Sequence, residues 1–536
     1  MLKKEYAAAK SDELRELDIM GSQINNSAEQ DKERKHPNSD KSACNQIVVN
    51  SPRASIHKQF AVNVGSAAAV NIIRILLQLI TLPLMARLLS PADFGIYAMA
   101  LPTISLFMLL AEGGLGMSLA REDEGNRLLW STAFWTLAGA CSLMGVLVCG
   151  SGFVLAWISG EGVLINIMCF LAISLPLLAP TIVADARLIR RGNLIYHCGA
   201  DLCGLAVGAG VGLFSAYHGG GVWSLATQYV SSLVVRAVVL NAAARTWPRF
   251  EFDFSTLSGH AANGGWLIVM RASETVGKIA ENSLFGGLFG PNLLGSYTLG
   301  FQLVRFSCES VANPILSAFY SHAVRHDSSD VVGLHLFLTR LILFILIPMS
   351  VLLTILADKI LPAVLGDQWS QAVLFVKILI IPYAITAASW LSGQILIRNG
   401  LSSRNAAITG VIGSLRVLSI GLGIWFSPFI VVGFLAVCYV IQAVAITFAV
   451  PTAAGADKKQ LVYNFLCIFS AAVGAGLTIF VLERKLDPTV FAYVCEAVAS
   501  GAIYLTIIFA LQRNTVGREY KNAAAFISSI KSRFAK

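Results

Sequence analysis

From about residue 59 to about residue 512 the chain is a succession of apolar runs of about 20 residues or more, separated by short polar breaks. A run of that length matches the roughly 30 Å hydrocarbon core of a bilayer. No water is present there to satisfy backbone N–H and C=O groups, and a helix is the local structure that satisfies them within one segment. The runs predict transmembrane helices near residues 60–87, 93–118, 128–156, 163–186, 197–216, 221–243, 262–289, 293–320, 332–356, 371–397, 405–425, 428–450, 461–482 and 489–511. The expected fold class is therefore an all-α integral membrane protein with about 14 transmembrane helices, the last two forming an appendage to a core of twelve.

Charge supports the same reading. Only 13% of residues are Asp, Glu, Lys or Arg, against about 25% in soluble globular chains. Residues 1–58 alone hold ten Lys/Arg and nine Asp/Glu, leaving the rest of the chain poorer still. This excludes a soluble enzyme and a nucleic-acid partner. Residues 1–58 also lack the apolar core of a signal peptide and read as a disordered cytoplasmic tail.

Lys and Arg fix an orientation. With the N-terminus in the cytoplasm, the inner segments carry 28 of the 40 basic residues and the outer segments four: Arg87, Lys359, Arg484 and Lys485. That asymmetry is a positive-inside signal, and an even number of spans returns the C-terminus to the cytoplasm. The net charge of +9 needs no anionic partner beyond this rule. The outer loops are short, the longest near 357–370, which leaves little room for extracytoplasmic chemistry.

Sliding the chain by 200 residues aligns Ala61/Ala261, Asn63/Asn263, Gly65/Gly265, Leu84/Leu284, Leu88/Leu288, Pro91/Pro291, Gly95/Gly295 and Tyr97/Tyr297. A second match sets Leu188–Gly192 over Leu396–Gly400. An offset of six spans preserves orientation, so two six-helix lobes are expected, related by a parallel internal repeat with its axis along the membrane normal. The expected domains are a disordered tail over 1–58, lobes over 59–244 and 260–450, two further helices over 460–512, and a basic cytoplasmic tail over 513–536.

Ionisable side chains at bilayer depth cost several kcal/mol and usually face a cavity or a partner. In the seventh span Arg271, Glu274, Lys278 and Glu281 recur at steps of 3, 4 and 3, within an arc of roughly 80° on one helix face. Their repeat mates in the first span are Asn71, Arg74, Gln78 and Thr81, which share that face and are also polar. The expectation is that both helices line a central aqueous cleft. A bland alternative is that the stripe neutralises itself through pairs along the helix. Arg74 has no acid on its own helix and is the better candidate for an anionic ligand. Glu112, in Leu-Ala-Glu-Gly-Gly, is a candidate for coupling or for a counter-ion to Arg74.

Other charges read as structural. Arg305 and Glu309 form an i,i+4 pair, and Asp201, Arg236, Arg340, Lys377 and Arg416 read as single charges, several placed to snorkel. The closely spaced glycines of Gly204–Gly212 read as a helix-packing surface. The ten cysteines show neither CxxC nor metal-ligand spacing, and the eight histidines suggest no site. No P-loop, HExxH or nucleophile elbow occurs, so no cofactor, metal or intrinsic ATPase is expected.

The stretch Gln78–Gly116, with its Ala-Arg-Leu-Leu-Ser-Pro-Ala-Asp-Phe-Gly-Ile-Tyr turn and following Glu-Gly-Gly-Leu-Gly, resembles the polysaccharide transporter family. This family comprises Wzx-type lipid-linked oligosaccharide flippases and exopolysaccharide exporters, in one superfamily with MATE-type antiporters and lipid II flippases. The likeness runs from about residue 60 to 512, while the long polar N-terminal tail departs from it. It implies a bacterial inner-membrane flippase that moves an undecaprenyl-pyrophosphate-linked oligosaccharide to the periplasmic face for lipopolysaccharide or exopolysaccharide synthesis. It further implies lobes that rock about a cationic cavity, membrane lipids as surroundings, and glycan polymerase and chain-length components as partners. Within that reading Arg74, Arg271 and Lys278 are the headgroup candidates, Asn71, Gln78, Thr81, Glu274 and Glu281 line the cavity, and Glu112 couples. These assignments follow the stripe and are not motif matches. The alternatives are a MATE-like cation-coupled exporter of small molecules, a membrane glycan polymerase or ligase, and a non-transporting scaffold.

Overall fold

Long apolar segments fold as helices, and Pro, Gly and capping residues decide where each one stops. The computed structural model describes residue 70, residues 73–113, 115–119, 126–192, 194–245, 250–253, 265–323 and 328–450, and isolated positions between 463 and 510. Its helices are α1 (73–88), α2 (Pro91–Glu112), α3 (Leu115–Leu119), α4 (Arg127–Ser159), α5 (Val163–Ala172), α6 (Leu178–Arg190), α7 (Leu194–Tyr217) and α8 (Val222–Ala244). They continue as α9 (Gly265–Phe289), α10 (Pro291–Ala323), α11 (Ser328–Leu365), α12 (Ser370–Arg398), α13 (Ser402–Gly421) and α14 (Pro428–Ala449). The expected tails, most of the last two spans, and Asn71 lie outside the described residues.

Among the described residues eight helical segments are long and apolar enough to cross a membrane: α2, α4, α8 and α14, segments over most of α7 and α11, and segments that include all of α12 and α13. The chain is a multi-pass membrane protein, all-helical among the described residues. α9 and α10 are long as well, at 25 and 33 residues, but they carry the charged stripe and the Arg305/Glu309 pair. The run expected as one span over 163–186 is two helices, α5 and α6, separated by a turn at 173–177. Pro176 supplies no N–H to continue the ladder, and the turn tightens so that Leu171 O accepts both Ser174 N at 3.0 Å and Ser174 Oγ at 2.6 Å.

The two ends of the bundle are built differently. At the Pro91 end, α2 opens with a capping box: Asp93 N donates to Ser90 Oγ, and Ser90 N donates to Asp93 Oδ2 at 2.9 Å. Gly290, at φ 85°, makes the corresponding turn before Pro291. The two turns then meet. A Cβ on Gly95 would stand 1.9 Å from the Pro291 carbonyl oxygen, and one on Gly295 would stand 1.7 Å from that of Pro91. Glycine alone permits backbones this close. α8 begins at this same end, where Gly221 lies beside Asp93. Its far end, Ala244, accepts from Arg191 Nη1 at 3.2 Å, so α6 and α8 end and α7 begins at the opposite, Arg190 end.

Helices leave their last carbonyls without intrahelical partners, and here the N-terminal half (α1–α8) and the C-terminal half (α9–α14) cap each other. Arg87, at the end of α1, donates to the carbonyls of Ala363 and Val364 at the end of α11. In return Gln368 Nε2 donates to Ala86 O at 2.6 Å and Leu89 O at 3.0 Å, and Trp369 Nε1 donates to Ala86 O at 2.7 Å. Phe94 packs edge-on to the fully buried Trp369. Asn282 on α9 adds a bond to Ala98 O on α2 at 2.7 Å. Within the N-terminal half, the glycines of Gly204–Gly212 do bring α7 against α8: a Cβ on Gly208 would meet Gln228 O at 2.7 Å.

Candidate functional site

The polar stripe divides along its length. On α1, Arg74 and Gln78 are exposed, while Thr81 is buried and its hydroxyl donates to Leu77 O at 2.7 Å. On α9, Glu274 and Lys278 are exposed and form an ion pair at 3.5 Å, while Glu281 is only 9% exposed. Thr81 and Glu281 occupy equivalent positions 200 residues apart, and both go under at the same level. Seven residues, about 10 Å of helix, separate Arg74 from Thr81. Of Arg271 the helical backbone is described, two turns before Lys278.

Glu281 therefore does not line an open surface with its neighbours on the stripe. Its carboxylate accepts from the Tyr297 hydroxyl at 2.6 Å and belongs to a network inside the C-terminal half. The Arg416 guanidinium lies 5.1 Å over the Tyr439 ring, within electrostatic reach of Glu281. Nearby, Glu309 takes a bond from Arg305 Nε at 3.1 Å and one from the Tyr383 hydroxyl at 2.9 Å. Phe301 stacks between Tyr297 and Tyr439. An isolated buried carboxylate is costly, and hydrogen bonds and a guanidinium are what make its burial tolerable. Arg416, read from sequence as a lone charge, is thus a partner.

Glu112 ends α2 beside the left-handed Gly113 cap. It is half-buried, its Oε1 3.0 Å from where a Cβ on Gly116 would stand, and it lies within electrostatic reach of Cys141 on α4.

The helices of the N-terminal half build a second ionic cluster. At the Arg190 end, α6, α7 and α8 bring together Asp185, His197, Asp201 and Arg236. His197 Nδ1 is 2.5 Å from Asp185 Oδ1, and its Nε2 is 3.7 Å from Asp201 Oδ2. Arg236 Nε is 2.8 Å from Asp201 Oδ1, and its Nη2 is 3.8 Å from Asp185 Oδ2. Asp201 and Arg236 are thus paired with each other, not the single charges the sequence suggested. The one legible hint was the i,i+4 spacing of His197 and Asp201. Lys377, also read as single, pairs with Asp358. No group of three or more metal-ligating side chains suited to an ion occurs among the described residues.

Long apolar helices, a polar stripe and buried ionisable groups define a helical membrane protein with polar groups packed between its helices. The chain belongs to the polysaccharide biosynthesis protein family, whose model matches residues 84–374. Among curated proteins it is 24% identical over 301 residues to the succinoglycan biosynthesis transport protein ExoT of Rhizobium meliloti (strain 1021), covering 55% of this chain and 60% of that one. It is 22% identical over 327 residues to the lipopolysaccharide biosynthesis protein WzxC of Escherichia coli (strain K12), covering 58% and 64%. The chain thus spans about three fifths of the length of these relatives. Among solved structures, the lipid II flippase MurJ in its inward closed conformation matches with a TM-score of 0.65 and 12% identity, over 84% of this chain and 99% of that one. An inward-facing multidrug resistance MATE family transporter of the MOP superfamily matches at 0.56 and 14% identity, over 72% and 95%. These two likenesses define the fold.

Proposed function

We propose that this protein is a flippase or exporter that carries an undecaprenyl-pyrophosphate-linked oligosaccharide from the cytoplasmic to the outer face of the bacterial inner membrane. It would serve lipopolysaccharide or exopolysaccharide synthesis, with glycan polymerase and chain-length components as downstream partners. Family membership and the named roles of ExoT and WzxC support the substrate class. In this reading residues 59–244 and 260–450 form two lobes, 460–512 add two helices, and both termini are cytoplasmic. The Pro91 end then faces outward and is closed; the Arg190 end faces the cytoplasm.

The observation that carries the reading is the division of the stripe. Arg74 and Gln78 on α1, and Glu274 and Lys278 on α9, are exposed; Thr81 and Glu281, one to two turns nearer the Pro91 end, are buried. In this reading the division marks a cleft open to the cytoplasm and blind on the outer side. A pyrophosphate crossing lipid needs cationic partners and a shielded path, because its desolvation is otherwise prohibitive. Arg74, Arg271 and Lys278 would hold the headgroup, with Asn71, Gln78 and Glu274 around it, while the polyprenyl tail stays in lipid. Rocking of the lobes would break the reciprocal caps between Arg87 and α11 and between Gln368–Trp369 and α1, and open the outer side.

The test is an Arg74→Ala variant in a strain lacking the wild-type gene, at matched membrane abundance. Losing a charge-assisted contact of about 1.5–3 kcal/mol reduces transport by about tenfold or more. Surface glycan is expected to fall while the lipid-linked intermediate accumulates on the cytoplasmic face. Unchanged surface glycan in the deletion strain itself overturns the function and makes drug export the reading to test. Full rescue by Arg74→Ala removes Arg74 as the headgroup ligand.

A further inference from the structure

The cluster on α6, α7 and α8 lies outside the polar stripe and has no part in the headgroup assignment. Its central feature is that both ring nitrogens of His197 face carboxylate oxygens: Asp185 Oδ1 at 2.5 Å from Nδ1 and Asp201 Oδ2 at 3.7 Å from Nε2. A neutral imidazole has one N–H and one lone pair. In this setting the lone pair would point at an anionic oxygen. The imidazolium has an N–H for each carboxylate, and so matches the geometry on both sides.

Arg236 completes the arrangement from α8, with Nε 2.8 Å from Asp201 and Nη2 3.8 Å from Asp185. Each carboxylate is therefore shared between the guanidinium and the imidazole. Two aspartates against one arginine give the cluster a formal charge of −1 when the ring is neutral and zero when it is protonated. The side chains are between 20% and 33% exposed, enough for water to deliver a proton and too little for full solvent screening. The next residue on α7, Cys198, lies within electrostatic reach of Asp201 and Asp185 of the cluster and of Arg74 on α1. The proton on His197 thus changes the net charge one helix away from Arg74.

We propose that Asp185, His197, Asp201 and Arg236 form a proton-binding site whose occupancy tunes the affinity of the Arg74 region for the anionic headgroup. The proposal rests on the flippase reading for the identity of that headgroup. With the proton bound, the cluster is neutral and the positive field of Arg74 is available to the pyrophosphate. With the proton lost, the extra negative charge opposes the anion. Headgroup binding and proton binding are then linked, and each strengthens the other by the same factor.

The site can be tested with the purified full-length chain and farnesyl pyrophosphate as a soluble probe. Wild-type affinity is expected to fall by about tenfold between pH 6 and pH 8, within the usual range of such couplings. Both His197→Gln and His197→Arg should flatten this profile relative to wild type, His197→Gln at the weak level and His197→Arg at the tight level. A merely structural ion pair predicts parallel profiles for all three, and that result overturns the proposal while leaving the flippase reading intact. No binding of the probe by wild type at any pH overturns the headgroup reading and the proposal with it. Nitrogen-15 histidine spectra give a ligand-free measurement, with the His197 signal identified by its loss in His197→Gln. A doubly protonated ring at pH 6 that loses one proton by pH 8 is expected; a singly protonated ring throughout overturns the site even if the probe binds.

Discussion

The two halves of the molecule each hold an ionic cluster, and the two are built from different chemistry. In the N-terminal half, two aspartates, a histidine and an arginine meet at the helix ends, each about a quarter exposed. In the C-terminal half, Glu281 accepts from the Tyr297 hydroxyl, Glu309 accepts from Arg305 and from the Tyr383 hydroxyl, and the Tyr439 ring lies under Arg416. Tyr297, Tyr383 and Tyr439 are at most 6% exposed. The second network has no histidine: its members are groups that ordinarily keep one charge state across the physiological range. The first contains the one side chain that ordinarily changes charge there. Fixed charge binds helices to one another permanently; a titrating charge can be given a task within a cycle.

The largest effect that would break this contrast is in the fixed network. Arg416→Met removes the cation within electrostatic reach of buried Glu281 and leaves only its hydrogen bond from Tyr297, so it should cost about 3 kcal/mol or more, seen as a large drop in thermal unfolding temperature in detergent. Adding Glu281→Gln should restore most of the loss, because replacing both partners removes the uncompensated charge. A second substitution that restores nothing would place the two residues in separate interactions. Next in size is the contact that lets the halves lean on one another. Gly295→Leu forces side-chain atoms into the Pro91 carbonyl and should destabilise the closed outer end by about 3 kcal/mol. Labelling of a cysteine placed at residue 98 should rise accordingly, and an unchanged labelling rate would mean that the glycine contact does not hold the end shut.

A smaller effect is expected in the titrating cluster. Asp201→Asn removes one of two partly exposed carboxylates and should cost about 1 kcal/mol or less, so the unfolding temperature moves little. Its signature should be in the shape of the pH profile of probe binding. A loss as large as that of Arg416→Met would put the cluster in the same structural class as the network. The smallest effect belongs to the stripe itself. Lys278→Ala breaks an exposed i,i+4 pair with Glu274 worth about 0.3–0.5 kcal/mol, so stability should be unchanged while surface glycan declines. Equal decline of both would assign the pair to packing.

The eight spans over 91–449 were legible because each is a long apolar run, and the starts of α2 and α10 were legible because Pro91 and Pro291 follow strong turn signals. The interruption between α5 and α6 was less so: Pro176 sits in a run whose hydropathy continues unbroken, and hydropathy does not report where hydrogen bonds fail. The stripe on α9 could be found because its members share one helix, where spacing gives their directions. Its burial could not, since Glu281 and Glu274 carry the same charge on the same face and differ only in what packs over them. The cluster of Asp185, His197, Asp201 and Arg236 was hidden for a related reason. Its members come from three helices, and a single sequence supplies no rotation of one helix against another.

The meeting of Gly95 with Pro291 and of Gly295 with Pro91 has one more consequence. Two turns of like sequence, each docking into the other, have the form of the self-complementary contact that joins identical subunits about a two-fold axis. In a symmetric dimer every substitution appears twice, so neither side can specialise. On a single chain the same contact holds while the sequences on either side are free to differ. That freedom is what allows one half to keep a histidine between two aspartates and the other an arginine over a tyrosine.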